Sequence, residues 1–231
     1  MAQNVYDNPE FFEGYKQLPR QVRGLDGAPE WPAVRAMLPP LTGLRAVDLG
    51  CGFGWVSRWM RENGAASVLG LDLSENMIAR AKETTADPAI EYRIADLDAL
   101  ALPAGAFDVA FSSLTFHYVA DFPRLVRAIH AGLAPGGHLV FTIEHPICMA
   151  GANPQWQADA AGTPTWPVNG YSREGERRTD WFAKGVLKHH RTVPGESMTI
   201  HVAGHDIAVV EIQRLATVAP LLGSVGAGNR A

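Results

Sequence analysis

Four residues at every second position, Asp48, Gly50, Gly52 and Gly54, sit at the end of a candidate buried strand and just beyond it. Glycines there let the backbone take positive φ and pass close to a ligand. The helix pattern that starts near Trp55 turns its first amide groups toward the same point. Asp72 ends the next strand pattern, in Gly70-Leu71-Asp72-Leu73-Ser74, where a carboxylate can accept hydrogen bonds from both hydroxyls of a ribose. The plainer reading of Asp72 is a surface acid beside a helix cap. His117 and His145 each follow a later strand pattern. Imidazole titrates near neutrality, so both are candidate general bases for a nucleophile that must shed a proton. A hydrogen-bonded structural histidine is the alternative for each.

These residues need elements to bring them together. Strand patterns run over 44–49, 67–73, 90–95, 107–112 and 138–143. Helix patterns lie between them, carrying Val56, Trp59 and Met60, then Met77, Ile78 and Ala81 after the Ser74 cap, then Leu125, Ile129 and Leu133 after Asp121 and Pro123. This βαβα alternation predicts an α/β, Rossmann-like, doubly wound fold: a mainly parallel sheet with helices on both faces. Ligands of such sheets bind beyond the carboxyl ends of the strands, where strand order reverses. Ahead of the sheet, Asn8-Pro9-Glu10 opens a helix with Phe11, Phe12, Tyr15 and Leu18 on one face. A second helix follows Pro29, with Trp31, Val34 and Leu38 on one side. The expected division is an N-terminal helical cap over 1–43, a cofactor-binding core over 44–144, an insertion or lid over 145–190 and an atypical C-terminal segment over 191–231. The stretch 145–190 holds Trp156, Trp166, Tyr171 and Trp181 with no clear period, which predicts a long irregular segment beside the site.

Two cofactor types use a glycine loop of this kind. The dinucleotide fingerprint Gly-x-Gly-x-x-Gly puts its third glycine where the first helix packs on the strand, and here that position is Trp55. The spacing Asp48-x-Gly50-x-Gly52-x-Gly54 instead resembles the first motif of class I methyltransferases. The resemblance covers about residues 44–144 and includes Asp72, Asp96, the strand around Phe107-Asp108-Val109-Ala110-Phe111-Ser112 and the turn Pro135-Gly136-Gly137. It implies S-adenosyl-L-methionine as methyl donor and a small-molecule methyl acceptor. It implies that Gly50, Cys51 and Gly52 contact the cofactor, that Asp72 holds its ribose, and that Asp96 meets the adenine amino group with Leu97 against the ring. Leu73 and Met77 are candidates for the adenine pocket, with core packing an equal reading. Ser113 would bound the methionine end, and Tyr15 and Arg20 of the cap would contribute there, Arg20 toward the carboxylate. The ending departs from the family: no amphipathic helix precedes the alternating residues at 197–202 and 207–212. That tail reads as divergent or frameshifted, a possible hairpin that leaves the fifth strand's edge incompletely covered.

The 231 residues suffice for one α/β domain, and a net charge of −4 argues against a nucleic-acid-binding surface. Cys51 and Cys148 lack metal-ligand spacing, which predicts no metal and reduced thiols in a cytoplasmic protein. No apolar run approaches the roughly 20 residues of a membrane span. The expectation is therefore a methyltransferase of small molecules, monomeric or homodimeric, without nucleic-acid or membrane partners. Two alternatives stay open: an NAD(P)-dependent oxidoreductase and a non-catalytic S-adenosylmethionine-binding module.

Overall fold

Strands β1 (Arg45–Leu49), β2 (Ser67–Asp72), β3 (Ile90–Ile94), β4 (Phe107–Ser113) and β5 (Leu133–Glu144) pair in parallel in the order β3-β2-β1-β4-β5. The computed structural model describes residues 3–192 together with the backbone of 199–202 and 207–213. The strand order reverses between β1 and β4, so the carboxyl ends of these two strands flank a crevice. The helices are α1 (Pro9–Lys16), α2 (Pro19–Arg23), α3 (Trp31–Met37), α4 (Trp55–Glu62), α5 (Glu75–Glu83) and α6 (Phe122–Gly132).

Helix starts follow the local chemistry. Asn8, Ser74 and Asp121 each accept a backbone N–H three residues on, from Phe11, Met77 and Arg124, and so cap α1, α5 and α6. Strand alternation then splits the core. Ala46, Val109, Phe111 and Val140 face Val34, Met60 and Ile78 of α3, α4 and α5. Val47, Leu49, Ala110, Leu139 and Phe141 face Leu125 and Ile129 of α6. Burial on both faces is what a parallel sheet needs.

The stretch after β5 differs from the irregular segment expected. A 3-10 helix (Pro146–Met149) leads into the short strands β6 (Gln157–Ala158) and β7 (Pro164–Thr165), then into the hairpin β8 (Gly175–Trp181) and β9 (Ala183–His190). The period-2 signal in β9 is hidden because two of its buried positions, Lys188 and His190, are polar, beside Val186. The hairpin packs on the N-terminal helices: Trp181 and Phe182 both meet Phe11 edge-on, and Val186 is buried with Val5 and Phe11. Helix α2, which the sequence did not suggest, starts at Pro19 and carries Arg20.

The tail also corrects an expectation. Strands β10 (Thr199–Val202) and β11 (Ile207–Gln213) form the foreseen hairpin, and β11 pairs antiparallel with β5 from Glu144 back to His138. The β5 edge is therefore covered, and the described sheet has seven strands in the order β10-β11-β5-β4-β1-β2-β3. Among the described residues, no helix is long and apolar enough to cross a membrane.

Candidate active site

The loop after β1 turns back on β2 at once. The amides of Gly50 and Cys51 both donate to the Leu71 carbonyl, at 2.7 and 2.9 Å, and Ser112 Oγ of β4 donates to the Leu49 carbonyl at 2.6 Å. Below it, buried Asp48 accepts 2.6 Å from Ser57 Oγ, tying strand to helix α4. Gly52 has φ +52°, and a Cβ there would approach nothing nearer than the Tyr15 hydroxyl at 3.9 Å. Its backbone thus borders open space, the cradle a close-approaching ligand requires. Trp55 turns away from the strand and onto the cap. Its ring lies against Gly24, its Nε1 donates to Gln21 at 3.1 Å, and the Arg58 guanidinium covers it at 4.7 Å. The position a dinucleotide fold reserves for close helix–strand packing is here a contact with the cap.

A cavity of about 1430 Å³ opens at the carboxyl ends of the strands, and the N-terminal helices together with the β8–β9 hairpin contribute to its walls. Of the residues expected at a cofactor, Tyr15, Arg20, Gly50, Gly52, Asp72, Leu73, Met77, Asp96, Leu97 and Ser113 all line it. Cys51 does not: its side chain is buried in the core, with Sγ on the far side near Gly70.

At the β2 end, Asp72 accepts from Gly52 N and Ser74 N, both at 2.9 Å. A carboxylate has about four acceptor sites, so these bonds fix its orientation and leave capacity for a ligand. Asp96, after β3, accepts from Asp98 N at 2.9 Å and caps a 3-10 helix that begins at Leu97. Arg20 donates to Ser113 Oγ at 2.8 Å and pairs with buried Glu30, whose Oε2 is buried without a partner. Two carboxylates at neighbouring strand ends, a bare glycine backbone and a charged pair that is incompletely satisfied suit a nucleoside carrying an amino-acid group.

The other end of the cavity is aromatic. The Tyr6 hydroxyl donates to that of Tyr118 at 3.3 Å, and Tyr15, whose hydroxyl stands near Gly52, joins the two ends by meeting Trp181 edge-on with ring centres 6.5 Å apart. Burial holds the Tyr15 phenol up at about 12. His117 lines this end, 5% exposed, with Nδ1 accepting a long 3.5 Å bond from Glu144 N. Burial first, then the cations of Lys188 and Arg191, depress its pKa well below the ordinary 6.5. His145 also lines the cavity, but its Nδ1 is taken by Ile147 N at 3.2 Å, where it caps the 3-10 helix. His190, by contrast, is buried under the hairpin with Nε2 on the Tyr171 carbonyl.

Several wall residues had no clear signal in the sequence. Glu144 closes β5 beside His145 and bonds Lys188 Nζ at 2.8 Å. Lys188 stood in a stretch that showed no period. Outside the cavity lining, Asp7 reaches from the first turn of the chain to accept from Ser74 Oγ, Glu75 N and Asn76 N, pinning the cap to α5. Leu114 holds φ +52° between Ser113 and Thr115, a strained setting for a bulky residue at the mouth of the site.

Burial, opposed by the Ser57 bonds, raises the Asp48 carboxyl to about 7, and burial, opposed by the Ser74 and Gly52 amides, raises Asp72 to about 6. Both lie above the unfolded carboxylate value, so the native state binds these protons more tightly than the unfolded chain. Their contribution to stability is full below about pH 4 and is lost as pH rises through 6 and 7. In thermal melts of the ligand-free protein, Asp48→Asn is expected to flatten the fall in Tm between these limits. An unchanged slope would contradict the assignment.

The profile of a methyltransferase domain matches residues 47–141. A crystal structure of an S-adenosylmethionine dependent methyltransferase from Mesorhizobium loti superposes with a TM-score of 0.74 at 50% identity, covering 82% of this chain and 100% of that one. An uncharacterized protein of Haemophilus influenzae is 36% identical over 197 residues, 82% of this chain and 78% of its own. A malonyl-[acyl-carrier protein] O-methyltransferase of Enterobacter lignolyticus is 38% identical over 110 residues, 48% of this chain and 43% of its own.

Proposed function

The chain belongs to the S-adenosylmethionine-dependent methyltransferase family, and on that premise we propose that it methylates a small organic molecule bound in the aromatic end of its cavity. The observation that carries the reading is the continuity of one cavity from Asp72 and Asp96 to Tyr118 and Trp181. S-adenosylmethionine supplies an electrophilic methyl group on a sulfonium, open to in-line attack by a lone pair.

The residues divide the work by position. Asp72, aimed by two backbone amides, accepts the ribose hydroxyls. Asp96 receives the adenine amino group, with Leu97, Leu73 and Met77 along the ring. Arg20 and Ser113 take the amino-acid carboxylate, and the unpaired Glu30 Oε2 takes the ammonium. Much of the acceleration then comes from holding donor and acceptor in line at about 3–3.5 Å, which needs rigid walls more than charged groups. Burial and the nearby cations disfavour the charged form of His117, and with Nδ1 accepting from Glu144 N the neutral ring carries its proton on Nε2. An imidazole whose acid form is this disfavoured holds an abstracted proton poorly, so His117 orients the acceptor as a hydrogen-bond donor. His145, with Nδ1 engaged, shapes the 3-10 helix on the same wall.

Protein incubated with methyl-labelled S-adenosylmethionine and an ultrafiltered cell extract is expected to place label in low-mass product. Label recovered only on added protein or RNA would overturn the small-molecule reading.

A further inference from the structure

The wall opposite the Asp72 end holds a charged pair that is not internally complete. Lys188, 5% exposed, carries three N–H donors, and its hydrogen bond among the described residues goes to Glu144 Oε1 at 2.8 Å. Glu144 Oε2 is buried with no partner. Both residues line the cavity, and both come from elements that the nucleoside end does not use: the end of β5 and the middle of β9. Enclosing such a pair is costly unless its remaining donors and lone pairs are met. A ligand that meets them must present a donor and an acceptor at one point.

We propose that the Glu144–Lys188 pair is the recognition point for a hydroxyl group on an aromatic acceptor, and that the protein is an O-methyltransferase. This rests on the reading of the cavity given above. The choice among acceptor groups follows from charge. An ammonium would face the Lys188 cation, and a carboxylate or phosphate would face the Glu144 anion. A hydroxyl donates to Glu144 Oε2 and accepts from Lys188 Nζ without opposing either. The body of the acceptor lies among Tyr6, Tyr118 and Trp181, whose faces and edges suit a flat apolar ring. Trp156, 69% exposed and packed on Trp166 at 5.3 Å, extends that apolar character to the cavity rim.

The pair also balances the reaction. The acceptor O–H bond breaks and its proton passes to Glu144 Oε2. The Lys188 ammonium steadies the negative charge growing on oxygen. The oxygen lone pair forms the new bond to the methyl carbon, and the electron pair of the breaking carbon–sulfur bond stays on sulfur. Positive charge leaves the sulfonium as a proton is gained by the carboxylate, so no further reactant is required.

The test uses the full chain saturated with adenosylhomocysteine and fluorescence titration with three probes: 1-naphthol, 1-methoxynaphthalene and 1-naphthylmethylamine. 1-Naphthol is expected to bind at least about tenfold more tightly than either of the others. Glu144→Gln and Lys188→Met are each expected to reduce that preference to within about threefold, while Lys188→Arg keeps part of it. All three variants should still show a higher Tm with adenosylhomocysteine, which reports an intact fold and an intact nucleoside end. Equal binding of the three probes, no saturable binding of 1-naphthol, or a preference that survives both neutralising variants would overturn the hydroxyl assignment. Failure of adenosylhomocysteine to raise the Tm of the unaltered protein would overturn the parent reading instead, and this one with it.

Discussion

Replacing Asp72 with alanine is expected to weaken adenosylhomocysteine binding by at least about two orders of magnitude. Each hydrogen bond to a charged acceptor contributes about 1.5–3 kcal/mol, and the proposed contact makes two, one to each ribose hydroxyl. The sum corresponds to a loss of roughly 10²- to 10⁴-fold. The side chain has a second task, because it accepts from Gly52 N and Ser74 N and so holds the glycine loop against the start of α5. Asp72→Asn is intermediate in both respects. It keeps one acceptor oxygen, enough for one of the Gly52 and Ser74 amides that bond the two carboxylate oxygens, and loses the charge, so calorimetry is expected to place it between the native protein and the alanine variant. A loss below tenfold for Asp72→Ala would remove Asp72 from the proposed ribose site.

The second large effect concerns folding. Gly50 has φ +77°, and a Cβ there would overlap the Thr115 hydroxyl and lie 2.7 Å from Thr115 Cβ. An alanine at Gly50 adds about 1–2 kcal/mol for the left-handed backbone and about 1–3 kcal/mol for the overlap. Urea denaturation of Gly50→Ala is therefore expected to show a loss of about 2–5 kcal/mol. The steric share is recoverable and the backbone share is not. Combining Gly50→Ala with Thr115→Gly should return about 1–3 kcal/mol as a coupling energy in a double-mutant cycle. Strict additivity would contradict the packing seen between the loop and the start of the Phe116–Tyr118 turn.

Where side-chain period and backbone chemistry agreed, the sequence was readable. Strands β1 to β4 and the caps Asn8, Ser74 and Asp121 lie where propensity and capping place them. The shared spacing of Asp48, Gly50, Gly52 and Gly54 also located the loop, since three glycines at alternate positions serve a bend better than any regular element. The Cys51 side chain lies off the cavity lining because adjacent residues in the turn point to opposite sides, and its thiol takes the core side.

The roof and the acceptor wall were less legible, for a physical reason. In β9 the residues that face inward include Lys188 and His190, each bonded to a partner outside the strand, Glu144 and the Tyr171 carbonyl. A polar residue at a buried position looks like a solvent-facing one until its partner is known. Helix α2 was missed because five residues are too few to show a period. The edge of β5 looked exposed for the same kind of reason, since pairing by β11 depends on a return of the chain that no local pattern encodes.

The most direct measurement is a crystal structure of the full chain with adenosylhomocysteine. The account predicts both ribose hydroxyls on the Asp72 carboxylate, the adenine amino group at Asp96, and the sulfur directed along the cavity toward Tyr118, His117 and the Glu144–Lys188 pair. A nucleoside seated elsewhere, or a sulfur turned away from that aromatic end, would contradict it.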